Sequence, residues 1–338
     1  MAGGDDTAPA CFAVSLGDPA GIGAEVTGKA WAMRQAQGLP RFFAVGDIDA
    51  LRGSWDGPVV RIEAPAQCAA HFNDALPCLH VASAGPVTPG TPSVDGAHAA
   101  LQALETAVGL ARSAAAAGIV TAPVGKAQLY EVGFTHPGQT EFIAERCGVA
   151  RENAVMMLAG PGLRVVPITI HIALKDVPAA LTTELIVARS LATAKGLHRN
   201  FGIAQPRLVM AGLNPHSGEG GALGREEIEI IQPAIAQLQQ LGVNVTGPHS
   251  ADGLFHAQAR ETYDAALCMY HDQALVPLKT LYFDQGVNLT LGLPIVRTSP
   301  DHGTAFGIAG KDIAHPGPMI AAIRMAGEAA RNRAKYTG

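Results

Sequence analysis

The chain has 338 residues, of which 48% are hydrophobic and only 16% are charged, so it holds ample apolar material for a core and too little charge for a disordered protein. A net charge of −5 leaves no basic surplus for a nucleic acid backbone, and no apolar run is long enough to span a bilayer. We therefore expect no nucleic acid and no membrane partner, and the length predicts about two domains.

The N-terminus and the cysteines indicate a reducing compartment. The opening residues, MAGGDDTAPA, carry acid where a signal peptide needs positive charge. The five cysteines are odd in number, scattered and without a CxxC pair, so neither a disulfide framework nor a zinc ribbon is indicated. We predict a cytoplasmic protein.

Short apolar runs alternate with helical stretches along the chain. The predicted strands are Phe12–Leu16, Phe42–Val45, Val59–Ile62, Gly118–Thr121, Ala154–Leu158, Val165–Ile170, Leu208–Leu213, Ala265–Tyr270 and Val287–Leu291. The predicted helices are Ala24–Ala36, His98–Ala117, Gln139–Cys147, Thr182–Leu197, Arg225–Leu241 and Pro318–Arg333. Most of the strands are continuous apolar runs, which indicates a largely parallel sheet buried on both faces, and Pro233 should kink or split the fifth helix. This alternation predicts an α/β fold.

Three predicted strands lead into a histidine, at His171, His216 and His271. Ligands of α/β sheets bind outside the carboxyl ends of the strands, so three parallel strands would deliver three imidazoles to one edge. His216 lies 45 residues after His171 and 55 before His271, so only the fold can unite them. Three histidines suit Zn²⁺, Co²⁺ or another divalent ion with one position open for substrate. The alternative is three unrelated histidines that hydrogen-bond to nearby backbone.

Groups that bind anions follow in the sequence. Asn214–Glu227, NPHSGEGGALGREE, is rich in glycine, which allows close approach of the backbone to a ligand or makes an ordinary turn. Asn288 lies inside an apolar strand, where its amide needs a partner, while Lys279 and Arg297 lie in largely apolar stretches. Two cations and an amide near a metal suit a phosphorylated or carboxylated substrate. The alternative is that both cations are solvated.

The segment HGTAFGIAGKDIAHPGPMI, residues 302–320, resembles the adenosine-binding loop of the isocitrate and isopropylmalate dehydrogenase fold. With GDPAGIGAE, VTAPVGK, PGQTEF, NPHSGEGGALGREE, MYHDQALVPLK and GVNLTLGLPIVRTSPDHGTAF, it makes the chain similar to the 4-hydroxythreonine-4-phosphate dehydrogenase family of vitamin B6 biosynthesis. The resemblance implies two α/β/α domains with a cleft between them. Residues 1–130 and 296–338 would form the cofactor-side domain, and residues 131–295 the domain for metal, substrate and dimerisation.

The resemblance also implies roles for particular residues. The metal ligands would be His171, His216 and His271, and the substrate would contact Gln139, Thr140, Lys279, Asn288 and Arg297. The cofactor would contact Asn214, Gly218, Glu219, Gly220, His302, Gly303 and Thr304. The proton acceptor would be Lys279, Asp252 or Asp272.

The reaction that the resemblance implies is oxidation of 4-phosphooxy-L-threonine by NAD or NADP at one divalent ion, Zn²⁺, Mg²⁺ or Co²⁺. The 2-amino-3-oxo acid so formed would lose CO₂ to give 3-amino-2-oxopropyl phosphate. The family is homodimeric, with its site at the subunit interface. Close relatives oxidise 4-phosphoerythronate, 4-phosphothreonate or cis-dihydrodiols, and these substrates stay open as alternatives. A metal-dependent hydrolase and an inactive binding module are further alternatives.

Three positions depart from the family pattern. Gln139 stands where the family commonly has His, and an amide can donate to a phosphate but exchanges no proton near neutral pH. Gly253 replaces a common Thr. Gly307 replaces Asp in the cofactor loop, where it bears on the choice between NAD and NADP.

Overall fold

The computed structural model describes residues 11–336, so the acidic segment 1–10, which underlies the expectation that no signal peptide is present, lies outside the described residues. The chain divides into two compact units. Unit 1 comprises the described residues up to Cys147 together with Pro294–Ala330. Unit 2 comprises Gly148–Leu293 and the described residues from Arg331 onward.

Strands and helices alternate throughout the described chain. The strands are β1 Phe12–Ser15, β2 Phe42–Gly46, β3 Val59–Ile62, β4 Leu76–His80, β5 Ile119–Thr121, β6 Val155–Gly160, β7 Leu163–Pro167, β8 Arg207–Ala211, β9 Asn244–His249, β10 Ala265–Cys268, β11 Val287–Leu291 and β12 Arg297–Pro300. The helices are α1 Gly23–Ala32, α2 Ile48–Ser54, α3 Cys68–His71, α4 Val94–Arg112, α5 Lys126–Glu131, α6 Gln139–Arg146, α7 Val177–Ala180, α8 Thr183–Phe201, α9 Gln232–Gln240, α10 Ala257–Arg260, α11 His271–Tyr282 and α12 Gly317–Lys335. Among residues 11–336, no helix combines the length and the apolar character that crossing a bilayer requires.

The strands of unit 1 form a parallel sheet in the order β3-β4-β2-β1-β5-β12. β1, β2 and β5 are buried along their whole length, as continuous apolar runs in a parallel sheet must be. Helix α4 packs on β1 and β2 with a face of small residues such as Ala100 and Ala103. The buried end of β5 and the start of β12 bring Thr121 and Arg297 into the same sheet region.

The strands of unit 2 follow the order β11-β6-β7-β10-β8-β9. β6 runs antiparallel to both β7 and β11, whereas β7, β10, β8 and β9 are parallel. β10 lies between β7 and β8, so the carboxyl ends of these three strands share one edge of the sheet. This edge positions the residues that follow the three strands.

The predicted α/β class is confirmed, and every predicted strand is present with small shifts at its ends. The predicted helix over residues 225–241 is split: a π-helical turn, Glu227–Ile231, precedes α9, whose first turn contains Pro233. A proline has no N–H to donate to the preceding turn, so the backbone widens there.

The elements not predicted from the sequence are strands β4, β9 and β12, helices α2, α5 and α11, and the four-residue helices α3, α7 and α10. β4, β9 and β12 each contain a proline, which argues against a strand in a local reading. α11 was missed because Pro277 lies inside it and because it begins directly after the buried run of β10. These elements form because neighbouring strands and helices supply the contacts that local propensity lacks.

Candidate active site

The three predicted histidines lie in the segments that directly follow the parallel strands of unit 2. His171 lies beyond β7, His216 lies beyond β8, and His271 is the first residue of α11. The strands end two or three residues earlier than predicted, and three to five residues before the histidines, so loops and a helix start carry the imidazoles. The shared edge nevertheless brings together segments that are far apart in the chain.

His171 and His271 are neighbours. Their ring centroids are 5.7 Å apart with an interplanar angle of 43°. His271 Nδ1 lies 2.7 Å from Asp272 Oδ1, a contact that fixes the ring and leaves Nε2 to bind a ligand. His171 has a backbone φ of +51°, a left-handed conformation that costs about 1–2 kcal/mol in a residue with a side chain and that clusters at functional sites.

His216 begins a left-handed turn. The φ angles from His216 to Gly220 are +51°, +51°, +78°, +44° and +64°. The predicted cofactor residues Gly218, Glu219 and Gly220 lie in this turn, and only two of its five positions are glycine. The Asp252 carboxylate lies near it, and its pKa is lowered mainly by a hydrogen bond from Ser250 and in part by the charge of His216.

Two of these imidazoles fit a metal site as they stand. In the described part of the chain, no three His, Cys, Asp or Glu side chains converge closely enough to hold an ion. His171 and His271 nevertheless form an adjacent pair, and imidazole is the ligand type that Zn²⁺ and Co²⁺ prefer. His216 lies on the loop after β8, the strand beside β10. The donor set therefore fits a divalent ion, and the three-histidine site stays a prediction.

Lys279 and Asn288 are the two predicted substrate contacts in unit 2. Lys279 lines an open groove with His271, Asp272, Val276 and neighbouring residues of α11. Asn288, in β11, has a buried Oδ1 atom that accepts no hydrogen bond. Because an unsatisfied buried acceptor is costly, this atom is suited to a donor on a bound ligand.

Unit 1 contains a second predicted group, which we call the arginine cluster: Arg297, Thr121, Thr140 and Gln139. Arg297 is only 4% exposed and donates to Thr140 Oγ1 at 3.3 Å and to Thr121 Oγ1 at 3.0 Å. Burial lowers the pKa of Arg297 to about 10, with Glu141 acting in the opposite direction. A buried cation beside neutral hydroxyl groups is suited to an anionic ligand.

Gln139 presents an acceptor in this cluster. Its Nε2 donates to the carbonyl oxygen of Ala122 at 3.1 Å, and its buried Oε1 accepts no hydrogen bond. Because a carbonyl can only accept, this contact determines which end of the amide is left for a ligand. Thr121 and Ala122 were not predicted as site residues, although both lie in the motif VTAPVGK at the end of a buried strand.

The predicted cofactor loop is also in unit 1. His302 Nδ1 donates to the Gly303 carbonyl oxygen at 2.9 Å, which leaves its buried Nε2 as an acceptor without a partner. The Thr304 carbonyl oxygen accepts the N–H of Ile22 at 3.0 Å, so the loop rests on the turn that follows β1. A Cβ on Gly21 would lie 3.0 Å from that carbonyl oxygen, a tight contact that glycine relieves. A nucleotide N–H or O–H fits the free acceptor of His302.

Asn214 differs from the other predicted cofactor residues, because its donors are already engaged. Its backbone N–H donates to Glu227, and its side-chain NH₂ donates to both Glu226 and Glu227. Only the Asn214 Oδ1 acceptor is left for a cofactor, and its predicted role stays a prediction. Glu227 was not predicted as a site residue, because nothing in its local sequence indicates that it is buried.

The chain matches known proteins over nearly its whole length. The family model of pyridoxal phosphate biosynthetic protein PdxA matches residues 39–326. The chain is 54% identical over 325 residues to a 4-hydroxythreonine-4-phosphate dehydrogenase of Zymomonas mobilis, with 96% of this chain and 97% of that protein covered. It is 53% identical over 327 residues to the enzyme of the same name from Caulobacter vibrioides, with 95% and 98% covered.

The chain is also similar to solved structures. A 4-hydroxythreonine-4-phosphate dehydrogenase from Klebsiella pneumoniae superposes with a TM-score of 0.85 at 35% sequence identity. The superposition covers 95% of this chain and 98% of the Klebsiella chain. A terephthalate 1,2-cis-dihydrodiol dehydrogenase from Burkholderia xenovorans superposes with a TM-score of 0.64 at 30% identity and covers 94% and 97%.

Proposed function

The chain belongs to the PdxA family of pyridoxal phosphate biosynthetic proteins, and from that membership we propose that it oxidises 4-phosphooxy-L-threonine with NAD or NADP at a divalent metal ion. Its function is that of a 4-hydroxythreonine-4-phosphate dehydrogenase in pyridoxal phosphate biosynthesis. The observation that carries the finer proposal is the adjacent pair His171 and His271 at the shared edge of β7, β10 and β8.

The metal would be held by His171, His271 and His216. What a divalent ion supplies there is Lewis acidity, which lowers the pKa of a bound alcohol and favours its oxidation. Asp272 orients His271 by accepting from Nδ1, so that Nε2 points its lone pair at a ligand. Zn²⁺, Mg²⁺ and Co²⁺ stay open as the metal.

The chain's own groups bind and orient the substrate. In unit 1, Arg297 and Thr140 donate hydrogen bonds to the phosphate or carboxylate, and Gln139 accepts one from a substrate N–H or O–H. In unit 2, Asn288 Oδ1 accepts from the substrate and Lys279 contributes positive charge. The proton of the alcohol passes to Asp252, Asp272 or Lys279, each of which lies on a segment beside the histidines.

Unit 1 would hold the adenosine part of a nicotinamide cofactor, whose chemistry would be to take up the hydride from the substrate. His302, Gly303 and Thr304 form the loop that contacts it, with Gly218, Glu219, Gly220 and Asn214 as the contacts proposed in unit 2. Gly307 has no side chain where the family commonly has Asp, and this difference affects the choice between NAD and NADP. Unit 1 thus acts as the cofactor side and unit 2 as the metal side.

We also propose that the protein is a cytoplasmic homodimer whose interface borders the histidine pair. Large apolar side chains are exposed beside that pair: Leu174 is 67% exposed, and Ile172 lies close to it in the chain. On α11 and just beyond it, Val276 is 60% exposed and Phe283 is 73% exposed. Such side chains rarely stay in contact with water at a functional surface, and a second copy would cover them.

A substrate panel tests the proposal. Purified enzyme loaded in turn with Zn²⁺, Mg²⁺ or Co²⁺ is given NAD or NADP, and reduced nicotinamide is followed by absorbance. We expect 4-phosphooxy-L-threonine to turn over faster than 4-phosphoerythronate or a cis-dihydrodiol. Preference for a cis-dihydrodiol would favour the activity named for the Burkholderia xenovorans structure. Calorimetry with NAD is the second measurement, because a hydrolase would bind no nicotinamide nucleotide.

A further inference from the structure

The turn that carries His216 is anchored by a buried carboxylate. Glu227 is 2% exposed, and its Oε1 accepts the backbone N–H of Asn214 at 2.7 Å. Its Oε2 accepts a side-chain N–H of Asn214 at 3.0 Å. Asn214 precedes His216 by two residues, so both hydrogen bonds act where the left-handed turn begins.

The same carboxylate packs against the chain on both sides of His216. A Cβ on Gly218 would lie 2.6 Å from Glu227 Oε2, and a Cβ on Gly212 would lie 3.2 Å from Oε1. A side chain at position 218 would therefore displace the Glu227 carboxylate, and the φ of +78° independently favours glycine there. Glu227 fills the inside of the turn, whereas the His216 side chain is exposed.

The turn needs such an anchor. His216, Ser217 and Glu219 all carry side chains and all adopt left-handed backbone angles, which isolated chains avoid. Without a partner at its base, this segment would populate right-handed conformations, and a ligand would have to reorder it on binding.

We propose that Glu227 is a positioning residue for His216: it holds the left-handed turn through Asn214 and Gly218, so that a divalent ion meets an ordered third imidazole. This inference rests on the proposed function, in which His216 is a metal ligand. Glu227 touches neither the metal nor the substrate in this account, and it acts only through the turn.

Glu226 offers a matched control on the same amide. Its Oε2 accepts from Asn214 Nδ2 at 2.7 Å, but Glu226 is partly exposed, and the backbone N–H of Asn214 donates to Glu227. Replacing it removes one charged hydrogen bond from Asn214 and leaves the inside of the turn filled. A general effect of charge near the loop would appear in both variants, whereas an effect of positioning would appear only in Glu227 variants.

The experiment measures binding of Co²⁺ and Zn²⁺ to the metal-free full-length protein by calorimetry, with the visible absorption of bound Co²⁺ as a signature of its ligands. We expect Glu227→Ala to lower the affinity by about 10–100-fold, as is usual when a group supporting a metal ligand is removed. Glu227→Gln keeps an acceptor for the Asn214 backbone N–H and should recover part of this loss. Glu226→Gln should stay within about threefold of the unaltered protein.

A second measurement needs no metal. Amide hydrogen exchange of residues 214–221 in the metal-free protein should accelerate in Glu227→Ala and stay unchanged in Glu226→Gln. If Glu227→Ala does not fold, Glu227→Gln decides, with circular dichroism as the check on folding.

Two results would overturn the inference, and they can be told apart. If both Glu227 variants bind Co²⁺ as tightly as the unaltered protein while His216→Ala does not, the positioning role is wrong and the metal site stands. If His216→Ala itself binds Co²⁺ with unchanged affinity, His216 is not a ligand and the proposed metal site fails as well.

Discussion

The arginine cluster of unit 1 already contains a buried positive charge, whereas the histidine pair of unit 2 consists of groups that can bind a positive ion. Arg297 is a cation already buried by its neighbours, and burial lowers its pKa to about 10. His171 is exposed and His271 is partly exposed, and as neutral imidazoles they are donors for a cation that comes from solvent.

Because of this difference, we expect substitutions in the two regions to affect folding stability and ligand affinity differently. The side chains of the arginine cluster contact one another within the packed sheet of unit 1, so a substitution there changes both folding and anion binding. The histidine pair lies after the strands, in a loop and at the start of a helix, so a substitution there changes metal binding and leaves the core of unit 2 intact.

The largest expected effect is loss of a histidine. His171→Ala or His271→Ala should lower turnover by roughly 10³-fold, because Lewis acidity contributes several kcal/mol to catalysis. The thermal unfolding midpoint should change little. Steady-state formation of reduced nicotinamide, with metal analysis of the protein, checks this. Full activity of the unaltered enzyme after chelation would show that the histidines hold no catalytic metal.

Arg297→Met should have the next largest effect. It tests whether the buried charge of the arginine cluster favours substrate binding at a cost to folding. Loss of a charge-assisted contact should raise the KM for the phosphorylated substrate by about 10–100-fold. Because the folded-state pKa lies below the ordinary value of 12.5, the burial penalty is fully present below about pH 10 and is relieved as pH rises beyond it.

The neutral variant should therefore be no less stable than the unaltered protein at pH 7. Urea denaturation at pH 7 measures this directly. A loss of more than about 1 kcal/mol would show that the arginine is held by net favourable contacts and that its burial is not a cost to folding. Arg297→Lys, which keeps the charge but loses the fork geometry, is the matched variant for the kinetics.

Asp272→Asn tests whether the histidine pair depends on its orienting carboxylate. The asparagine can still accept from His271 Nδ1, but it stabilises the ligand tautomer less well. We expect Co²⁺ affinity to fall by about tenfold, measured by calorimetry. Unchanged affinity would leave Asp272 free for the other role proposed for it, that of proton acceptor.

The smallest expected effect is that of Gln139→His. The amide exchanges no proton near neutral pH, so the unaltered enzyme should show no ionisation from this position. The imidazole variant should add a titration near its ordinary pKa of about 6.5 to the pH profile of kcat/KM, with a change of a few fold. An unaltered profile would indicate that position 139 does not contact the substrate.

The local sequence pattern was enough to predict the α/β class and the buried strands, because continuous apolar runs and turn residues are properties of short segments. It was also enough to single out His171, His216 and His271, since each follows such a run. It was not enough for β12, which begins with the charged Arg297 and is nevertheless buried.

Only the tertiary structure decided which of these segments are neighbours. β10 lies between β7 and β8, and Arg297 meets Thr121 across 176 residues of chain. The sequence marks the glycine-rich segment 214–227, but the left-handed angles at His216 and the burial of the Glu227 carboxylate are features of the tertiary structure. The physical reason is that apolar periodicity is set by adjacent residues, whereas strand order and the burial of charge are set by packing among the whole set of elements.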